Sequence, residues 1–534
     1  MPAGDLDSGQ PSVPHGLPDS GQPSVPHGLP DSGQPPVPHD VLGFGQPSVL
    51  HDVLDAAARR HPTRPALTHT GLTWDYARLR AASLRAAAWL RERGVGRGDR
   101  VLLTLPSGLA TAALVYGCSR VGAAFCVLHE QVRGPALAHV REDSEAALLI
   151  TEDDGPPPLE EDGEDPAVPV AASEEAAHEA KGPLSVDPVC LIYTSGSTGP
   201  PKAVVSTHAQ LLFAARAIHG ELAYRTEDVV YCALPLSFDY GLYQLFLSTL
   251  AGAHLWLGGA SEVGPVLLKN LRRSGATVLP VVPSLAQGLA RMLPRYGADG
   301  IRLRLLTNTG SAMPPRVLTE LRAALPGLRV QLMFGLTECK RVAIMPPDED
   351  LRRPGACGRA LPGTEVLVVD ERGLRVAPGT VGEIVVRGPH VMAGYWRRPE
   401  QTAQRFPRAD GLFPELRTGD FGHLDEDGYL YFSGRRDDLY KQRGFRVSAE
   451  EVETAARRVP GVRGAAVLPP PGDGEEAVLC VAGSSLRPGE VLAALKREIE
   501  PYKIPARCLV VPELPLTGHG KTDRKALRAI AAES

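Results

Sequence analysis

Six consecutive positions, Thr194, Ser195, Gly196, Ser197, Thr198 and Gly199, hold four hydroxyl residues and two glycines, and Lys202 follows two prolines later. Hydroxyl donors on a backbone freed by glycine, with a cation behind them, suit a polyphosphate. A Walker loop would read GxxxxGK[ST] between a strand and a helix, so that amides and lysine wrap the phosphates. Here Gly199 is followed by Pro200, Pro201, Lys202 and Ala203, and the prolines remove amide donors where such a loop needs them. The stretch reads as a phosphate loop of another kind, holding a triphosphate less rigidly.

Five more short motifs follow it: SFDYGL at 237–242, FGLTE at 334–338, LRTGD at 416–420, GRRDDLYKQRGFRV at 434–447 and LTGHGKTDR at 516–524. Together with YTSGSTGPPKAV, in this order and at these separations, they resemble the adenylate-forming superfamily of acyl-CoA synthetases, nonribosomal peptide synthetase adenylation domains and luciferases. The resemblance runs from about residue 47 to the last residue. It implies a two-step reaction: a carboxylate attacks the α-phosphate of ATP to give an acyl adenylate and pyrophosphate, then a thiol displaces AMP. The first step is an in-line displacement, so positioning and charge neutralisation supply most of the catalysis.

The resemblance assigns roles residue by residue. Thr194, Ser195, Gly196, Ser197, Thr198, Gly199 and Lys202 would hold the departing β- and γ-phosphates. Thr337 and Glu338 would meet the α-phosphate and Mg²⁺, a hard cation that prefers carboxylate and phosphate oxygens, with Thr194 as a further metal neighbour. Asp420 would accept hydrogen bonds from the ribose hydroxyls, and Arg435 and Arg446 would add positive charge nearby. Lys521 would bridge the substrate carboxylate and the α-phosphate, and Asp437 matches the hinge about which the C-terminal domain closes and swings away. Ala203 departs from the glycine usual after the loop lysine, which implies a modest shift in loop geometry.

On the acyl side, Phe238 and Asp239 look like the pair in amino-acid-activating domains whose aspartate binds the substrate ammonium. Asp239 is equally suited to be a helix N-cap, a role worth about 1 kcal/mol with no substrate involved. Both readings stand. After Glu338 come Cys339, Lys340 and Arg341. Cys339 reads as an inert thiol. Lys340 or Arg341 would pair with a second acidic group on the substrate if it faced the acyl pocket; the preferred reading is a surface cation facing Asp348, Glu349 and Asp350. Gly310 and Ser311, with Pro283, Ser284, Asn308 and Phe334, are the other expected walls, Ser311 on the nucleotide side.

These residues are scattered over more than 300 positions, so a large scaffold must gather them. From about residue 47 to 150, helical patterns (LRAAAWLRERG, ATAALVYGCSRVGAAF) alternate with short apolar runs (RVLLTL, FCVLH, AALLIT), as in an α/β domain with a largely parallel sheet. A second α/β-like stretch occupies 204–345. A β-rich section with EVLVVD, EIVVRG and YLYFSG extends to about 434. The last 100 residues pattern as a small α+β unit. The expected fold is therefore α/β: a large N-terminal domain of α/β subdomains plus a β-rich subdomain at 47–434, followed by a small mobile α+β C-terminal domain at 435–534.

Two segments stand outside this plan. Residues 152–187 are acidic and proline-rich and read as a linker. Residues 7–54 repeat with a period of 12, in four copies; the first three offer almost nothing to bury, so 1–46 is expected to be disordered. The fourth runs into a helical pattern at Leu50, Val53, Leu54 and Ala57.

At 534 residues, 43% hydrophobic and 22% charged, the chain can build several cores. A net charge of -5 offers no basic field for nucleic acid or an anionic membrane, and no apolar run or leader pattern signals export. A cytoplasmic enzyme is expected. Eight scattered cysteines form no CxxC pair, which excludes a zinc knuckle. With 13 residues after Lys521, no fused carrier domain is expected, so the thiol would come from CoA or the phosphopantetheine of a free-standing carrier protein. The alternative is a ligase passing its adenylate to an amine or other non-thiol nucleophile. A degenerate scaffold protein would have lost Lys521, Glu338 or Asp420, and all three are present.

Overall fold

The structure is a computed structural model that describes residues 47–130, 132–152, 182–194, 201–259, 262, 264–408, 413–435, 439–442, 445–470, 477–483, 486–499, 501–517 and 522–533. The first helix, Leu50–Arg60, buries Leu50, Val53, Leu54, Ala57 and Ala58, the face its spacing predicts. Asp52 closes its start, accepting from the backbone N–H of Ser48 at 2.9 Å and of Val49 at 3.1 Å.

Two sheets carry the rest of the large domain. A six-stranded sheet runs Gly394–Tyr395, Lys202–Thr207, Pro188–Thr194, Ala124–Val127, Arg100–Leu103, Leu148–Ile150. Its last four strands are parallel, while Pro188–Thr194 and Lys202–Thr207 pair antiparallel, Thr194 opposite Lys202. Helices Tyr76–Glu92, Leu109–Val121 and His208–Leu222 supply the apolar faces that pack on it, and the last begins with a reciprocal cap between Thr207 and Gln210.

The second sheet has 13 strands. One half is parallel, with Arg329–Phe334, Leu305–Asn308, Val278–Val281, Val229–Cys232, His254–Leu257 and Pro65–His69 side by side and Leu72–Asp75 antiparallel at the edge. These strands read as short continuous apolar runs because helices cover them. The other half is antiparallel, from Ala343–Ile344 through Ala356–Ala360, Leu430–Arg435, Leu416–Leu424 and Gly382–Arg387 to Glu365–Val369. It contains the expected strands EVLVVD, EIVVRG and YLYFSG.

The C-terminal region forms a three-stranded sheet, Gly464–Leu468, Val478–Ala482 and Arg507–Val511, with helices Ala449–Arg458, Pro488–Leu495 and Arg524–Glu533. Glu453 ties helix to sheet, accepting from Val467 N at 2.8 Å and Arg524 Nη2 at 2.9 Å. The α/β architecture with a β-rich section and a small α+β C-terminal domain matches the expectation. Among the described residues no helix is long and apolar enough to cross a membrane.

Candidate active site

The hairpin strands Pro188–Thr194 and Lys202–Thr207 bring Thr194 and Lys202 into register at the mouth of the loop between them. Ser195, Gly196, Ser197, Thr198 and Gly199 lie outside the described residues, as do Asp437, Lys521, the repeats at 1–46 and most of the acidic segment. Lys202 rests its ammonium 3.7 Å from the ring centroid of Tyr395. Burial holds the Lys202 pKa below its usual value, opposed by the charge of Glu338, so the loop lysine and the FGLTE glutamate share a neighbourhood.

Glu338 stands in the turn after strand Arg329–Phe334 and is 9% exposed. Its Oε1 accepts from the Tyr395 hydroxyl at 2.7 Å, and its backbone carbonyl accepts from Met392 N at 2.9 Å. Thr337 precedes it, half-buried. Glu338 makes no ion pair among the described residues. A mostly desolvated carboxylate with one oxygen engaged and no cation in direct contact fits a hard divalent cation that also takes phosphate oxygens. Tyr395 and, on helix Pro399–Arg405, Arg405 went unnoticed in the sequence reading; the positive charge of Arg405 is felt by both Tyr395 and Lys202.

Asp420 is buried within strand Leu416–Leu424, opposite Arg435 across the antiparallel pair. Gly419 before it has φ 66°, and a Cβ there would sit 2.9 Å from Arg405 Nη1. The left-handed backbone is what favours glycine there, since the guanidinium tip can shift. Arg446 pairs with Lys441 in the two-stranded ribbon Leu439–Gln442 and Phe445–Ser448.

The acyl side is built on helix Asp239–Ala251. Its N-cap is Phe238, with no side-chain cap bond, and Asp239 stands one position inside the helix. The capping alternative for Asp239 therefore falls. What remains is a half-buried carboxylate in the first turn, where the helix dipole favours negative charge. A Cβ on Gly241 would lie 2.3 Å from the Pro235 carbonyl oxygen, so the helix start can seat against the 233–238 loop only with glycine there. Gly310, with φ 91°, leaves a surface exposed beside the Phe238 ring, and Ser311 follows it, also exposed.

Lys340 and Arg341 correct the sequence reading most. They are not surface cations: Lys340 is 1% exposed and Arg341 4%. Asp348 and Asp350 are instead paired with Arg322, at 2.9 and 2.7 Å. Lys340 adopts φ 65°, a left-handed backbone unusual for a side chain of its size, and this turns its stem inward. Its ammonium lies 5.8 Å from the Tyr243 ring centroid and has no hydrogen-bond partner. Burial depresses its pKa, and Asp239 is the strongest of the charges that oppose the shift. The Arg341 guanidinium sits 4.9 Å from the Tyr240 ring centroid and donates to the Lys340 carbonyl at 2.6 Å, its Nε unpartnered. Cys190 feels both Lys340 and Asp239, with burial pushing its thiol up to about 12. Cys339 is buried too, its thiol pushed up to about 12 by desolvation, as an inert residue would be.

Comparison with known proteins gives this arrangement a class. The chain belongs to the AMP-binding enzyme family, whose main domain matches residues 54–396 and whose C-terminal domain matches residues 451–521. Feruloyl-CoA synthase from Amycolatopsis sp is 33% identical over 476 residues, covering 87% of this chain and 95% of that protein. Delta-poly-L-ornithine synthetase from Acinetobacter baumannii (strain AB307-0294) is 32% identical over 497 residues, but the chain spans only 36% of its length. Among solved structures, VinN in complex with L-aspartate is 40% identical with a TM-score of 0.62, over 72% of this chain and 98% of VinN. o-Succinylbenzoate CoA synthetase (MenE) of Bacillus subtilis, solved with ATP and magnesium, has a TM-score of 0.75 at 26% identity over 89% of this chain and 99% of that one.

Proposed function

We propose that this chain is an AMP-forming ligase that uses ATP to activate one carboxylate of an amino dicarboxylic acid and then passes the acyl group to a thiol, of CoA or of a carrier protein's phosphopantetheine. The observation that carries the substrate assignment is the buried, unpartnered ammonium of Lys340 within the field of Asp239. Desolvating a cation without a partner is costly unless a ligand supplies the missing charge. Asp239 would take the substrate ammonium, and Lys340 with Arg341 the carboxylate that is not activated. The complex of VinN with L-aspartate supports the reading, since aspartate carries one amine and two carboxylates.

On the nucleotide side, Thr194, Ser195, Gly196, Ser197, Thr198, Gly199 and Lys202 would hold the leaving phosphates. Thr337 and Glu338 would meet the α-phosphate and Mg²⁺; the cation, when bound, neutralises phosphate charge. Asp420 would bond the ribose, with Arg435 and Arg446 nearby and Ser311 close to the base. Phe238 and Gly310 would shape the acyl entrance. Lys521 would bridge the two reacting groups when a C-terminal domain from about 435 closes about Asp437.

The test is ATP-pyrophosphate exchange against amino dicarboxylic, neutral amino, aryl and fatty acids, with Lys521→Ala as control. Exchange is expected with an amino dicarboxylic acid and lost in the control; exchange confined to aryl or fatty acids would overturn the substrate assignment. Adding CoA or a phosphopantetheinyl carrier then identifies the acceptor.

A further inference from the structure

Tyr395 touches both halves of the nucleotide site. Its ring lies under the Lys202 ammonium and its hydroxyl donates to Glu338 Oε1. Three contacts fix it there. Strand Gly394–Tyr395 pairs with Lys202–Thr207, Tyr395 opposite Val204. The Tyr395 N–H donates to Thr402 Oγ1 at 3.0 Å, and the ring meets Phe406 edge-on with centroids 5.5 Å apart. Gly394 has φ 132°, and a Cβ on it would lie 2.4 Å from Thr402 Cγ2, so the approach admits glycine alone.

A side chain serving only to fill this volume would be phenylalanine, because a buried hydroxyl must find a partner or cost stability. Here the hydroxyl is spent on the glutamate. The second carboxylate oxygen, Oε2, has no hydrogen bond or ion pair among the described residues.

We propose that Tyr395 is a positioning residue of the adenylation site: its hydroxyl fixes the Glu338 carboxylate so that Oε2 is the oxygen offered to a divalent cation, and its ring sets the resting place of Lys202. The metal carboxylate and the phosphate lysine are thereby coupled through one phenol. The inference rests on the ATP-dependent reading above.

Binding of Mn²⁺ as a paramagnetic probe, titrated by electron paramagnetic resonance with ATP present and no acid, tests it on the full chain. Tyr395→Phe, which keeps the ring under Lys202, is expected to need ~10-fold more Mn²⁺, the size of one hydrogen bond to a charged group, while metal-free ATP binding stays within about twofold. Tyr395→Leu is expected to weaken metal-free ATP binding as well. In the Glu338→Gln background, Tyr395→Phe is expected to add nothing further. Wild-type Mn²⁺ affinity in Tyr395→Phe, or losses that simply add in the double variant, overturns the positioning role. A thermal melt of Tyr395→Phe separates the cases: a lowered Tm with normal Mn²⁺ binding assigns Tyr395 to structure alone. A wild-type chain that binds neither ATP nor Mn²⁺ with ATP removes the ligase reading itself, and this inference with it.

Discussion

Lys340 and Asp239 lie within each other's electrostatic reach, yet no hydrogen bond or ion pair joins them. A fully buried cation held apart from a half-buried carboxylate is an incomplete pair. In the proposed reading, a molecule carrying both an amine and a carboxylate beyond the reacting one would complete it, and that complementarity leads to the first prediction.

Lys340→Met keeps the unbranched stem, one atom shorter, and removes its charge. Because the ammonium is buried without a partner, its loss is expected to stabilise the free enzyme by about 1–3 kcal/mol. Pyrophosphate exchange with an amino dicarboxylic acid is expected to fall at least ~10-fold, with a smaller change for a neutral amino acid. Calorimetry and exchange on the same preparation check both signs. Lower stability with unchanged exchange would make Lys340 a structural residue.

Gly241→Ala should act on the acyl side alone. Its Cβ would meet the carbonyl oxygens of Pro235 and Leu234 at 2.3 and 2.8 Å, backbone atoms that move only with the 233–238 loop. Overpacking of this kind costs about 1–3 kcal/mol and shifts Asp239 at the helix start. The expected signature is a raised KM for the acid with KM for ATP nearly unchanged, read from steady-state kinetics.

Lys202→Ala should weaken ATP use without abolishing it. In the proposed role the ammonium would contribute charge at the phosphates and perform no proton transfer, so KM for ATP is expected to rise ~10-fold while exchange persists at saturating ATP. Complete loss of exchange at every ATP concentration would show that the lysine does more than hold the leaving group.

Acid should loosen the N-terminal helix. Leu50 N donates to His208 Nδ1 at 3.0 Å, which requires that nitrogen to be unprotonated. Burial, with the charge of His51, holds the His208 pKa down to about 4, against 6.5 in an unfolded chain. The folded value is the lower one, so between these values the unfolded chain binds a proton that the folded chain does not. Stability is therefore full above about pH 6.5 and falls towards pH 4, by up to about 3 kcal/mol from this group. Urea melts across that range should slope down with acidity, and His208→Phe should flatten the slope. A slope unchanged in the variant assigns the effect to other buried histidines such as His254, also lowered to about 4.

The fold was legible where local pattern decides it. The face of helix Leu50–Arg60, the strands EVLVVD, EIVVRG and YLYFSG, and the C-terminal helices all follow from apolar spacing over a few residues. The nucleotide motifs were legible because each is a short string whose residue types suit phosphate. Lys340 and Arg341 were misjudged for a physical reason: an acidic cluster nearby in sequence suggested a surface pairing. The backbone turn at Lys340, which sends the stem inward, leaves no mark in composition. Asp239 lost its capping reading when the helix began a residue earlier than a cap would need. Tyr395 gave no signal because its partners, Lys202 and Glu338, are 193 and 57 positions away, and only the pairing of two strands brings them together.

That pairing has a mechanical side. Strand Gly382–Arg387 belongs to the 13-stranded sheet and strand Gly394–Tyr395 to the six-stranded one, so the six residues between them cross from one to the other. Lys202 begins a strand of the six-stranded sheet, Glu338 follows a strand of the 13-stranded one, and the Tyr395 hydroxyl closes the gap. The spacing between the two sheets is thus gauged where a nucleotide would be read. A substitution far away that let the sheets slide by even a fraction of an ångström would register as a change in the grip on metal and phosphate, without touching either.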